Sequence, residues 1–432
     1  MSVAPTDSPP PGGLTRAEAL RARELFEELF DELTVIGVHA DGSTTRLMWT
    51  EETAAAGAWF DRTATRLGLH PGVDRNGNRW AWSTTPAAGA IVTGSHLDSV
   101  RSGGRFDGAL GVVTGLVAVH LLTLRGGLER PLAVVSFAGE EGGRFDIPTF
   151  GSRTMLGILD VGANLERADA AGITLRGALV DAGLDPDAMG RDEQSLARIG
   201  AFVEVHIEQG TLLTEVAESL AIGTGILPHG RWRLELTGEA NHAGTTALQA
   251  RRDPMPALGA AIAAARTVAE EEQALATVGK VEVAPNSTNS VAGQVSLWLD
   301  ARAAETQTVE HMVERIVAAT RQVAEAHQVT LEVRRESFVG AVHFSDELRE
   351  RIVAVLAELG IPDVPMATGA GHDAGALAAA VPTAMLFVRS ATGASHSQRE
   401  LASVEDCQVG IGALTAVLAA LAADSQTPTR RG

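Results

Sequence analysis

The stretch Ile91-Val-Thr-Gly-Ser-His-Leu-Asp-Ser-Val-Arg-Ser-Gly-Gly-Arg-Phe-Asp-Gly108 constrains the fold more than any other part of the chain. It opens as an apolar run and closes as a glycine-rich loop carrying His96, Asp98 and Asp107. An apolar run feeding such a loop is how a buried parallel strand delivers side chains to the carboxyl edge of a sheet. Imidazole and carboxylate on one loop suit a borderline divalent metal such as zinc. A parallel sheet needs crossover helices and further strands, so the rest of the chain should alternate between the two.

The alternation is present. Leu20, Leu25, Leu29, Phe30 and Leu33 predict an amphipathic helix from Thr15 to about Leu33, and Thr50 caps a second one reaching about Leu67. Arg79–Trp82, Ala90–Thr93, Pro131–Phe137 and Ala384–Val388 read as strands. Ala109–Leu124 is apolar nearly all round and predicts a buried helix. Ala201–Gly210 has strict period two, with Glu204, His206 and Glu208 opposite Val203, Val205 and Ile207. A helix from about Ser403 to Ala423 closes the chain. Between these parts the order becomes β-α-β-β-α-β, the split βαβ unit. The expectation is an α/β fold: a mostly parallel sheet flanked by helices over residues 13–221 and 338–432, with a smaller α+β domain inserted at 222–337. Residues 1–12 read as a disordered tail. An open four-stranded sheet has edges that invite pairing, so a homodimer through the inserted domain is expected. Gly223, Gly225 and Gly340 near the two crossings are candidate hinges for a lid.

Bulk properties exclude several classes. A chain of 432 residues exceeds one ordinary core. The net charge of −19 argues against nucleic acid or an anionic membrane as partner. No window holds the roughly 18 unbroken apolar residues of a membrane span, and the N-terminus lacks the regions of a signal peptide. The single Cys407 rules out an intrachain disulfide and fits a reducing cytoplasm.

Loops after predicted parallel strands, and one polar strand face, offer metal-ligand types: His96 and Asp107, Glu140 and Glu141, His206, and His396. Nearly all fall just past an apolar run, where open α/β sheets place ligands. His120, inside an apolar helix, and His311 and His327, on a charged one, read as structural. There is no Gly-x-Ser-x-Gly elbow and no His-Glu-x-x-His.

Gly94-Ser-His-Leu-Asp-Ser, Gly103-Gly-Arg-Phe-Asp-Gly, Glu140-Glu-Gly-Gly-Arg-Phe, His206-Ile-Glu-Gln-Gly and Ala394-Ser-His-Ser together resemble the hydantoinase/carbamoylase branch of the dinuclear zinc amidohydrolases. That branch includes N-carbamoyl-L-amino acid hydrolases and allantoate amidohydrolases, and lies within the zinc aminoacylases and exopeptidases. The resemblance runs from about Leu33 to Cys407. It implies two divalent metal ions per subunit, zinc or manganese, with cobalt and nickel also compatible. One would sit on His96, Asp107 and His206, the other on Asp107, Glu141 and His396, with Asp107 bridging. It further implies Glu140 as general base and Asp98 behind His96, orienting that imidazole. His242, in Gly238-Glu-Ala-Asn-His-Ala-Gly-Thr-Thr246, matches the histidine that stabilises the oxyanion, often from the partner subunit. Asn289 and Arg302 match residues that hold the substrate carboxylate. Gln209 matches the contact to the ureido group, and His372 another residue near the substrate.

The implied activity is hydrolysis of a C–N bond in a small-molecule ureido acid: an N-carbamoyl-L-amino acid, allantoate or a ureidoglycolate-like compound. An N-acyl amino acid deacylase or exopeptidase on the same scaffold is the alternative, and a non-catalytic ureido-acid binder a second. The His-Ile-Glu-Gln-Gly run favours the first, because peptidase relatives commonly carry an acidic residue at this third-ligand position. Arg101, Ala247, Arg389 and Gln398 depart from the branch's pattern. The two arginines are expected at the pocket mouth, where they would alter substrate choice.

Overall fold

The computed structural model describes residues 14–424. The tail expected at residues 1–12 lies outside them. The chain divides into two compact units, one running to Thr224 and resuming at His343, the other spanning Gly225–Val342.

In chain order the large unit opens with helices α1 (Arg16–Thr34) and α2 (Glu51–Arg66). The strands β1 (His70–Val73), β2 (Arg79–Trp82) and β3 (Ala90–His96) follow. After α3 (Ala109–Arg125) come β4 (Leu132–Phe137), β5 (Ile199–Ile207) and β6 (Leu220–Ile226). The smaller unit holds β7 (His229–Thr237), α4 (Met255–Glu271), β8 (Leu275–Ala284), β9 (Gln294–Arg302), α5 (Thr306–Ala326) and β10 (Thr330–Val339). The chain ends in the large unit with α6 (Asp346–Glu358), β11 (Thr383–Val388) and α7 (Val404–Ala422).

The helix starts follow from their caps. Thr15 and Glu18 form a reciprocal box: the Thr15 hydroxyl accepts the Glu18 N–H at 3.3 Å, and the Glu18 carboxylate accepts the Thr15 N–H at 2.8 Å. The apolar stripe of α1 then buries Phe26, Leu29, Phe30 and Leu33 in the main core. Helix α3 buries residues on every side. Gly111 lets it sit close to β5, since a Cβ there would lie 2.1 Å from the Val205 carbonyl oxygen. Helix α7 is long and apolar enough to cross a membrane by length and composition, but most of it is buried in the same core as α3.

A nine-stranded sheet runs β1-β2-β4-β3-β5-β11-β6, with the short strands Val342–His343 and Pro365–Thr368 both beside β6. Its centre, β4-β3-β5-β11, is parallel, while β1, β2 and β6 join antiparallel at the flanks. The carboxyl ends of the four central strands therefore share one edge. Strand β5 is buried along its whole length, because helices cover both faces of a parallel sheet. Its polar face is thus interior too. Between β4 and β5 an excursion without strands forms its own apolar cluster around Met48, Phe145, Phe150, Leu165 and Leu175.

The smaller unit is an antiparallel sheet ordered β10-β7-β9-β8, with α4 and α5 packed on one face. Strand β10 runs on to Val339, opposite His229, past the boundary expected at residue 337. Gly223 and Gly225 lie within β6 rather than in a connecting loop, and a Cβ on Gly223 would touch Phe344 and Met385 at 3.0 Å.

Candidate metal centre

Each of the four parallel strands ends at one cluster. His96 is the last residue of β3, Glu140 and Glu141 follow β4, His206 lies at the end of β5, and His396 follows β11. The loop after β3 reaches Asp107 and turns at Gly108, whose φ is +66°. A Cβ at Gly108 would lie 2.5 Å from the His96 ring, so glycine is required both for the turn and for the imidazole.

Asp107 is the centre of the cluster. Its Oδ1 lies 3.1 Å from His206 Nε2 and 3.5 Å from His96 Nε2, and its Oδ2 lies 3.6 Å from His396 Nε2. His396 Nε2 is also 3.3 Å from Glu141 Oε2. Two ligand groups result, His96–Asp107–His206 and Asp107–Glu141–His396, joined through one carboxylate. A further group, Glu204–His206–His372, is wholly buried.

The tautomers test whether cations fit. His96 Nδ1 lies 3.0 Å from the Asp98 carbonyl oxygen, and His206 Nδ1 2.9 Å from that of Ile207. A carbonyl only accepts, so Nδ1 carries the hydrogen in both rings. In the neutral imidazoles Nε2 is then a bare lone pair facing carboxylate oxygens. Two acceptors so close are unfavourable unless a cation lies between them. His206 Nε2 and Glu141 Oε1 are buried without a hydrogen-bond partner. Mixed nitrogen and oxygen donors of this kind are what zinc-class cations take, so the residues fit the group.

The electrostatics agree. Burial disfavours the His96 imidazolium, but Asp107, Glu140 and Asp98 outweigh it and hold its pKa well above the usual value. Burial likewise opposes ionisation of Asp107, yet His206 and His96 pull its carboxyl well below the usual range. For Glu140, burial and the charges of Asp373, Glu141 and Asp98 act together against His96 and raise its pKa well above the usual range. Its Oε2 lies 3.8 Å from His96 Nε2. A buried carboxylate with raised proton affinity is suited to proton transfer.

Some expected residues do something different. The Asp98 carboxylate, 3.7 Å from His96 Nδ1, also accepts the N–H groups of Glu140 and Glu141. The main-chain carbonyl of Asp98 holds the ring. Gln209 donates its amide N–H to Asp107 Oδ2 at 3.1 Å and to Ser395 Oγ at 3.0 Å. His372 is buried against the His206 ring, centroids 4.5 Å apart, and burial together with His206 keeps it neutral. The Arg389 guanidinium forks onto Asp406 in the first turn of α7 at 2.8 and 3.1 Å, where an acidic residue complements the helix dipole. Arg101 is exposed. His120 makes a structural bond to the Leu67 carbonyl.

In the smaller unit, His242 and Asn289 are neighbours: Ala243 N–H donates to the Asn289 carbonyl at 2.9 Å, and His242 pairs with Ser290. His242 is exposed, with Nδ1 accepting the Gly244 N–H. Arg302 forks onto Asp300 at 2.7 and 3.2 Å.

Two buried groups at the cluster escaped the sequence reading. Arg46 is fully buried. It donates to the carbonyls of Leu97 and Ile36, and burial pushes its pKa down to about 10 against the pull of Asp98 and Asp107. Glu400, 2% exposed, is pushed up to about 7 by burial and by Asp107. Nothing in a single sequence marks either, since Leu97 lies 51 residues from Arg46 and Asp107 lies 293 from Glu400.

Residues 92–420 match the profile of Peptidase family M20/M25/M40. The chain belongs to this family. Among M20 relatives it is 35% identical to an N-carbamoyl-L-amino acid amidohydrolase of Geobacillus stearothermophilus, over 90% of this chain and 96% of the relative. It is 32% identical to an allantoate amidohydrolase of Bacillus subtilis (strain 168), over 94% and 99%. The crystal structure of a hydantoinase/carbamoylase family amidase from Burkholderia multivorans superposes with a TM-score of 0.81 at 28% identity, covering 93% of this chain and 98% of that one. A large, mostly parallel sheet flanked by helices is thus shared with M20 amidases.

Proposed function

We propose that this chain hydrolyses the C–N bond of a ureido acid, either an N-carbamoyl-L-amino acid or allantoate, at two divalent cations. Those cations would be held by His96, Asp107 and His206 and by Asp107, Glu141 and His396. The observation that carries the reading is the Asp107 carboxylate, with one oxygen turned to two imidazoles and the other to a third, and Glu140 alongside. The printed activities of the M20 relatives supply the substrate class.

Bound there, the cations would polarise the ureido carbonyl and bring the pKa of water down to about 7. Glu140 takes one proton from the attacking water as the new C–O bond forms, and returns it to the departing nitrogen as the C–N bond breaks. Asp98 holds the main chain of Glu140 and Glu141 during this exchange. His372, kept neutral by burial, offers a hydrogen-bonding group without a charge. For an N-carbamoyl substrate the products are an amino acid, ammonia and carbon dioxide. We further assign His242 to the oxyanion, Asn289 and Arg302 to the substrate carboxylate and Gln209 to the ureido group, on their motifs alone.

A homodimer through the smaller unit is part of the same proposal. It is supported by the two open edges of that sheet and by Leu275 and Val281 exposed on edge strand β8. A monomeric mass at working concentration would count against it. The single thiol, buried at Cys407, is the ground for proposing a cytoplasmic setting.

The deciding experiment is ammonia release from N-carbamoyl-L-amino acids, allantoate and a ureidoglycolate-type compound, with dipeptides and N-acyl amino acids as controls, with zinc or manganese added. Turnover of the ureido acids is expected. Turnover confined to dipeptides or N-acyl amino acids would overturn the substrate class.

A further inference from the structure

Glu400 is a buried carboxylate whose partners are main-chain groups of another loop. Its Oε1 accepts the N–H of Phe106 at 2.9 Å and the N–H of Asp107 at 2.8 Å. It belongs to the loop that carries His396, and that loop is closed on itself. Ala391 N–H donates to the Leu401 carbonyl at 2.7 Å, the Thr392 hydroxyl to the Arg399 carbonyl at 2.8 Å, and Glu400 N–H to the Ser397 carbonyl at 3.0 Å. The acceptor is therefore held in a fixed place relative to His396. The Asp107 loop is shaped to receive it. A Cβ on Gly104 would lie 2.3 Å from Glu400 Oε1 and 2.4 Å from its Cδ, and the Gly104 φ lies outside the left-handed region, so glycine is needed there for space alone.

We infer that Glu400 is a positioning residue: by accepting both N–H groups it sets the angle at which Asp107 presents its two oxygens, and it ties the Asp107 loop to the His396 loop. The inference rests on the reading of Asp107 as the shared ligand. The physical ground is geometric. A carboxylate that must face two ligand groups at once tolerates little rotation of its own main chain, and the Phe106 and Asp107 N–H bonds to one oxygen fix the two consecutive peptide planes that lead into Asp107. Removing such outer partners of a ligand typically weakens metal affinity about 10–100-fold.

The test uses the full chain and zinc alone. Zinc content after gel filtration, and affinity by competition with a chromophoric chelator, are measured for the unsubstituted protein, Glu400→Gln, Glu400→Leu and Gly104→Ala. Unfolding in a strong chelator is recorded in parallel. Glu400→Gln keeps an acceptor oxygen and should hold two zinc ions close to the unsubstituted affinity. Glu400→Leu should lose affinity by about 10–100-fold, and Gly104→Ala, which displaces the same carboxylate while leaving it in the chain, should follow. Two zinc ions bound by both of these variants at unsubstituted affinity would overturn the inference, as would a lowered unfolding midpoint in chelator with zinc affinity unmoved. If Glu400→Leu does not fold, Gly104→Ala decides alone. An unsubstituted protein that binds no zinc overturns the metal centre itself, which is a separate failure and is seen first.

Discussion

The Asp98 carboxylate accepts the main-chain N–H groups of both Glu140 and Glu141, one oxygen to each, at 3.0 and 3.1 Å. The two residues proposed as base and ligand are consecutive, so a single carboxylate sets the direction of both. The loop that carries them is tight, with positive φ at Gly139 and Gly142, and Asp98 fills its concave side. The acid pair thus depends on a residue from the neighbouring strand's loop.

Asp98→Asn should reveal this dependence. An amide offers one acceptor oxygen, so one of the two N–H groups would face an NH2 and stay unsatisfied, costing about 1–3 kcal/mol. Turnover should fall about 10–100-fold, in kcat more than in KM. Unchanged kcat in steady-state kinetics would refute the role.

Glu140→Gln keeps the size of the side chain and removes the basic oxygen. Turnover should drop by about 10²–10⁴-fold, with metal content by elemental analysis unaltered. Retained activity would sink the assignment of the base.

Metal removal should destabilise the fold as well as stop catalysis. Asp98, Asp107 and Glu140 are buried beside Glu141, and without cations these carboxyls must either repel across a low-dielectric interior or take up protons. Chelation should lower the unfolding midpoint, and zinc or manganese should restore both midpoint and activity. A midpoint indifferent to chelator would contradict the proposed centre.

At the surface, Arg125 forks onto Glu18 at 2.7 and 2.9 Å and, with the Thr15 bonds, holds its pKa at about 2. The folded pKa is depressed, so the stabilisation is present above the unfolded pKa near 4.5 and is lost as pH falls through about 2. Both side chains are partly exposed, which limits the pair to about 1 kcal/mol. A double-mutant cycle in urea at neutral pH should show that coupling, and it should shrink as the pH is lowered from 4.5. A coupling constant over that range would rule out the ion pair as its source.

Cys407 lies in α7 with its thiol 1% exposed, and burial beside Asp406 pushes its pKa up to about 12. Folded protein at pH 8 should resist a thiol-specific reagent, and urea should release one reactive group per chain. Fast labelling of folded protein would place the thiol elsewhere.

Local pattern carried much of this structure. The start of α1 at Thr15, its apolar stripe, the all-round apolar α3 and the period of β5 are properties of a few consecutive residues, and each appears close to where spacing put it. The ends of the central strands were legible for the same reason, so His96, Asp107, Glu140, Glu141, His206 and His396 could be named as candidates before any contact was known, and the family resemblance then separated Glu141 from Glu140. Side-chain direction across the sheet was not legible. Period two put Glu204 on a polar face, but that face is interior, and Glu204 is held by Ser95 and Ala374. Nor was it legible that Arg389 pairs with Asp406, or that the Asp98 carboxylate binds the main chain of the acid pair. Arg46 and Glu400 carry no local signature at all. The sequence by itself determined which residues stand at the rim, because strand periodicity and loop chemistry are short-range. Only the tertiary structure decided which of them face one another, because loops separated by up to 294 residues meet only once the sheet has brought their strands side by side.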